Sequence, residues 1–217
     1  MRCSTITSGR RLLILCALLS AAASYGTPRI GATDQSLPNF SPSPSNLKIF
    51  GPFKVVSRYR IALVGATDRD SPANLLRLLA SYPQITELVL SDCPGTVDDA
   101  ANLRVGRIIR LNNITTVIPN GGSVRSGAVE LFIAGKQRLA AKDAKFVVHA
   151  WDLGADRQRL SSTLEPTMRG IYIKYYRAMG MTEAGAAHFY ALTMAEKGGS
   201  ARVLLTADIA RYVTIGV

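Results

Sequence analysis

The chain has 217 residues, 47% of them hydrophobic and 19% charged, with a formal net charge of +11. That is apolar material for one well-cored domain and too little length for two. The basic excess permits loose attraction to anionic surfaces, but no nucleic-acid-binding motif accompanies it, so no specific nucleic-acid partner is expected.

Arg10 and Arg11 precede an apolar run at residues 12–19, and Ala21, Ala22 and Ala23 follow it. A basic start, a short apolar core and a small-residue exit describe a secretory signal peptide, here residues 1–26, and imply a periplasmic or secreted location. The run is shorter than the roughly 20 residues of a membrane span, so membrane attachment is expected only through an uncleaved segment. Cys3 and Cys16 fall in this leader and leave Cys93 as the one thiol of the exported chain, which rules out an internal disulfide. Residues 27–52, with Ser41-Pro42-Ser43-Pro44-Ser45, read as a flexible linker unable to offset its ordering entropy. The domain is expected to occupy residues 53–217.

Strand and helix signals then alternate. Residues 59–64 form a short apolar run that ends at Gly65. Ser71 is placed to cap a helix with Pro72 at its first position, and Leu75, Leu76, Leu78 and Leu79 continue it. A second strand is expected at 86–91, a second helix at 98–111, a third strand at 114–118, an apolar helix at 126–134 and a fourth strand at 145–149. A glycine-rich turn separates the third strand from the apolar helix. The alternation predicts an α/β fold with a largely parallel sheet and flanking helices. The rest is helical: Met168, Ile171, Tyr172, Tyr175 and Met179 follow one period near 3.6. Ala184, Ala187, His188, Ala191, Leu192 and Ala195 follow another, which ends at Gly198-Gly199. A short helix at 206–212 and a terminal apolar strand complete the reading. No internal repeat is visible.

The chemistry narrows quickly because only two histidines exist. His188 lies on the apolar stripe of a helix and reads as a packed residue of the core or rim. His149 closes an apolar strand, and in parallel α/β sheets reacting groups gather at the carboxyl ends of strands. An imidazole there can serve as general base. Ser126 opens an apolar helix after Gly121-Gly122, near free backbone N–H groups; a plain helix cap is the alternative. Asp92-Cys93-Pro94-Gly95-Thr96 follows the second strand, and its turn offers backbone N–H groups to a developing oxyanion.

In this order the segments resemble the proteolytic subunit of Clp protease and its exported relatives, within the crotonase-like superfamily. That family shows a strand ending in Ser-Pro-Gly-Gly and a helix, then a further strand. A nucleophilic serine next opens a helix that ends in Ala-Gly, and a strand ending in histidine follows. The matching stretches here are Leu90-Ser91-Asp92-Cys93-Pro94-Gly95, Ser126-Gly127-Ala128 through Ala134-Gly135, and Phe146-Val147-Val148-His149. Arg138-Leu139-Ala140 is also similar, and Leu205-Thr206-Ala207 gives a weaker echo. The resemblance spans residues 59–150. It implies a Clp-like fold with a C-terminal helical segment, Ser126 as nucleophile, His149 as its base and the N–H groups of Gly95 and Gly127 as the oxyanion hole. The implied chemistry is acyl transfer on a peptide or small acyl substrate.

The sequence also departs from this pattern. Arg202 stands where the family's acid is expected; Asp152, Asp156 and Asp208 are the other acids, and Asp208 is taken as the third catalytic residue. Thr96 replaces the second glycine of the turn. Glu130, one helical turn after Ser126, either holds a proton near the serine or meets solvent or a basic neighbour, and the second is expected. A serine–lysine pair through Lys136, Lys142 or Lys145 stays open, as does Cys93 as nucleophile. No metal spacing, phosphate loop or dinucleotide fingerprint is present, so no cofactor is implied. The competing reading is a non-catalytic binding or scaffolding protein on the same fold. A third is an acyl-thioester enzyme of the crotonase type. Tyr172, Tyr175 and Tyr176 suit either a contact between copies in a homo-oligomer or packing within the domain.

Overall fold

The alternating segments build two sheets. The computed structural model describes residues 48–150, 157–196 and 200–216, all within the unit Ser36–Val217. The expected signal segment, most of the expected linker, Asp152, Asp156 and Gly198-Gly199 lie outside the described residues.

The first sheet has the order β1 (Ile49–Phe50), β2 (Phe53–Val55), β3 (Arg60–Leu63), β4 (Glu87–Val89), β6 (Thr115–Ile118), β8 (Arg138–Ala140). Its first two pairings are antiparallel and the rest parallel. The second sheet has the order β10 (Arg202–Leu205), β9 (Lys145–Val148), β7 (Ser123–Arg125), β5 (Asp92–Cys93). Only β10 runs antiparallel there. The architecture is therefore α/β with mostly parallel strands flanked by helices. Pairing starts inside the stretch expected as linker, because Gly51 adopts φ +56° and lets Ile49–Phe50 fold back on β2 in a tight hairpin.

A unit of strand, strand and helix occurs three times in succession. β4 and β5 lead to α2 (Asp99–Leu111), β6 and β7 to α3 (Gly127–Ala134), and β8 and β9 to α4 (Arg157–Ala178). The first strand of each unit lies in the first sheet and the second in the other. No sequence repeat marks these units, because each asks only for buried side chains of suitable volume. β5, β7 and β8 were not expected as strands. They are two or three residues long, too short to show a period.

Local chemistry explains the helix starts. Asp98 caps α2, its Oδ1 accepting from the Ala101 N–H at 2.8 Å. In α1 (Ser71–Ser81) the cap position is Asp70, and the expected cap Ser71 is the first helical residue. Its hydroxyl instead donates to Asp68 Oδ1 at 2.7 Å. Every residue of α3 is buried, so this helix sits at the centre of the core.

In the C-terminal half, Tyr172, Tyr175 and Tyr176 are buried within the chain, which matches packing within the domain, one of the two readings the sequence left open. Tyr175 crosses α2 at Gly106, where an added Cβ would lie 1.9 Å from its hydroxyl. In α5 (Glu183–Met194) the buried face is Ala186, Phe189, Tyr190 and Thr193. The period was legible, but two aromatic rings bury more surface than a row of alanines and turn that face inward. His188 is consequently exposed, its ring against Tyr212 at a centroid distance of 5.7 Å. The last helix, α6 (Thr206–Ile209), is shorter than expected, and the terminal strand reduces to one bridge between Leu139 and Gly216.

Candidate active site

The three repeated units end their second strands side by side. β5, β7 and β9 are parallel neighbours with β7 in the middle. Gly95 follows β5, Ser126 follows β7 and His149 follows β9. Neighbouring strands lie about 4.8 Å apart, so the topology brings these three positions together with the serine at the centre.

Ser126 has φ +49° and ψ −130°. Among the described residues only Asn113 shares a positive φ without being glycine. Such a backbone costs on the order of 1–3 kcal/mol and persists only where the surroundings impose it. Here the chain must turn at once from β7 into α3. Two hydrogen bonds hold the turn: the Ser126 N–H donates to Val147 O at 2.9 Å, and Ser126 O accepts from the Val129 N–H at 2.8 Å.

Gly95 has φ +115°, and a Cβ built there would lie 2.9 Å from Ser126 Cβ and 3.5 Å from the Gly127 nitrogen. The approach of this turn to the serine thus requires glycine. Gly127 is the first residue of α3, where a helix N–H has no acceptor within the helix. Thr67 braces both glycines from behind. Its N–H donates to Gly95 O at 3.0 Å. Its hydroxyl donates to Asn102 Oδ1 at 2.7 Å, and Asn102 Nδ2 donates to Gly127 O at 2.8 Å. Thr96 lies with its methyl against Gly127, where an added Cβ would meet it at 2.6 Å. Thr67 and Asn102 were not found from sequence, since 35 residues separate them.

Ser126 and His149 line one cavity of about 40 Å³, together with Asp99, Glu130, Tyr172 and Tyr176. His149 Nδ1 lies 2.8 Å from Ala150 O. This contact assigns the ring proton to Nδ1 and leaves Nε2 as the basic nitrogen. No hydrogen bond joins Ser126 to His149 among the described residues. Burial raises the Asp99 carboxyl above the usual carboxylate range, while a hydrogen bond from Tyr172 and the charge of His149 act against that shift. Asp99 is the acid that the structure brings to the histidine. Its place in the first turn after the Pro94-Gly95 loop was the available signal, but an acid at a helix start reads as an end-charge effect.

Glu130 is buried away from solvent, and among the described residues no basic side chain shares its cavity, contrary to expectation. It is 7% exposed, and Tyr176 donates to its Oε1 at 2.7 Å. Burial pushes its carboxyl up to about 7, opposed by the Tyr176 hydrogen bond. α4 makes this possible by laying Tyr176 over α3, while the Tyr175 hydroxyl donates to Glu130 O at 2.8 Å.

The other candidates are not brought to the cavity. Asp208 caps α6, its Oδ2 accepting from the Leu205 N–H at 2.9 Å. Leu205 pairs with Lys145, the end of β9 remote from His149, so about 13 Å of strand separates them. Arg202 pairs with Val148 beside the histidine, and Glu196 Oε1 holds its Nε at 2.6 Å. Lys136, Lys142 and Lys145 are exposed and do not line the cavity. Cys93 is fully buried, its thiol pushed up to about 12 by burial and by the nearby Asp92 charge, so it stays protonated and unreactive at neutral pH. No protein-family model matches this chain, and neither does any curated protein.

Proposed function

We propose that the chain is an exported serine hydrolase, a peptidase on a Clp-like, crotonase-type fold that acts on a peptide or small acyl substrate. The carrying observation is the strained Ser126, which stands between Gly95 and His149 and shares one cavity with the imidazole. In this reading Ser126 Oγ attacks the substrate carbonyl carbon while His149 Nε2 takes the hydroxyl proton. The carbonyl oxygen becomes an oxyanion facing the N–H groups of Gly95 and Gly127. Collapse expels the leaving amine or alcohol, which takes its proton from the imidazolium. Water then repeats the sequence on the acyl-enzyme and frees the serine. Asp99, which lines the same cavity as His149, stands as the acid of the site in place of Asp208. If copies of the chain assemble, they use surfaces other than the three buried tyrosines.

A second reading, a non-catalytic binding protein on the same fold, draws on the hydrogen bond of His149 Nδ1 to a backbone carbonyl instead of a carboxylate. Turnover of a p-nitrophenyl ester separates the two. The hydrolase reading expects a burst of one nitrophenol per chain, lost in Ser126→Ala and His149→Ala. Equal rates in folded wild type and both variants would favour the binding protein.

A further inference from the structure

Glu130 is the one charged side chain on α3, whose other side chains are all apolar and buried. Acyl transfer through Ser126, His149, Asp99 and two backbone donors gives it no task, yet it lines the same cavity, one helical turn from the serine. Holding a carboxyl there is costly, and such a group is retained at low cost only when a partner satisfies it. Tyr176 serves Oε1. Among the described residues no lysine or arginine lines the cavity, while Asp99 adds a second carboxyl and Tyr172 and Tyr176 add aromatic rings. In a chain of net charge +11 this is a locally acidic chamber.

Position decides what the chamber takes, because Glu130 lies one turn of α3 beyond Ser126 and lines the same cavity. The reacting carbonyl must lie at Ser126 with its oxygen toward Gly95 and Gly127, so the amine has to sit close to that carbonyl. Building on the hydrolase reading above, we propose that Glu130, with Asp99, binds the free ammonium of an aminoacyl substrate, such as the N-terminal residue of a peptide. The site would thereby select a free amine beside the scissile bond.

The test compares alanine p-nitroanilide with N-acetylalanine p-nitroanilide on the purified chain. Wild type is expected to favour the free amine by at least about tenfold in kcat/KM, the scale of a charged hydrogen bond. Glu130→Gln, which keeps an acceptor for Tyr176, is expected to bring that ratio close to one. A second measurement covers the case in which the variant fails to fold: alaninamide should slow labelling of wild type by an uncharged fluorophosphonate, and N-acetylalaninamide should not. Equal turnover of the two anilides, equal protection by the two amides, or an unchanged ratio in folded Glu130→Gln would overturn the amine site while labelling of Ser126 left the hydrolase reading standing. Absence of labelling in folded wild type would overturn both.

Discussion

The two sheets use the carboxyl ends of their strands differently. In the first sheet, β4, β6 and β8 lead through links of two to four residues into the strands of the second, so their ends are connections between sheets. In the second sheet the chain must turn from β5, β7 and β9 into helices, and Gly95, Ser126 and His149 fill those turns. Both sheets are mostly parallel, so strand direction alone does not make a site. The helix start supplies free N–H groups, and the abrupt turn forces Ser126 to φ +49°. The candidate site lies where the backbone is forced to change geometry.

Two serines test this contrast with the largest expected effect. Ser126→Ala should lower ester turnover by at least about 10³-fold. Ser91→Ala, at the end of β4 with an exposed side chain, should stay within about twofold. Comparable losses in both would break the comparison. Next in size, Gly95→Ala forces a Cβ to within 2.9 Å of Arg125 O and Ser126 Cβ. It should cost about 10²-fold in kcat if one oxyanion donor is displaced, together with a lower Tm.

Glu130 gives a pH signature. Its folded carboxyl is held at about 7, against an ordinary value of 4.5. The folded state therefore keeps a proton that the unfolded state releases between those values, and stability falls as pH rises through that window. The loss amounts to about 3 kcal/mol. Glu130→Gln should remove this slope, read as the difference between variant and wild-type urea midpoints at pH 4.5 and 7.5. Identical slopes would show that Glu130 is not buried as described. The smallest effect belongs to Asp208→Ala. Loss of the α6 cap should cost about 1 kcal/mol in urea unfolding, with turnover within about twofold of wild type. A large loss of turnover would return Asp208 to the catalytic machinery.

The sequence made Ser126, His149, Gly95 and Gly127 legible because each sits where a local signal changes, at a strand end or a helix start. Asp99, Thr67, Asn102 and the Glu130–Tyr176 pair were not legible as a group. Their contacts are set by packing: Tyr176 meets Glu130 across 46 residues of chain, and Thr67 meets Asn102 across 35. The same limit explains the missed second sheet. β5 and β7 have two and three residues, and Gly and Pro around them read as turns. Asp208 was chosen by its distance along the chain, and β10 carries it to the end of β9 remote from His149.

The most direct test is covalent labelling of the folded chain by a fluorophosphonate, with the adduct mapped by mass spectrometry. The account predicts one adduct per chain, on Ser126, absent from folded Ser126→Ala and His149→Ala. A folded wild type that takes no label, or takes it on another serine, would contradict the claim that these strand ends form a hydrolytic site.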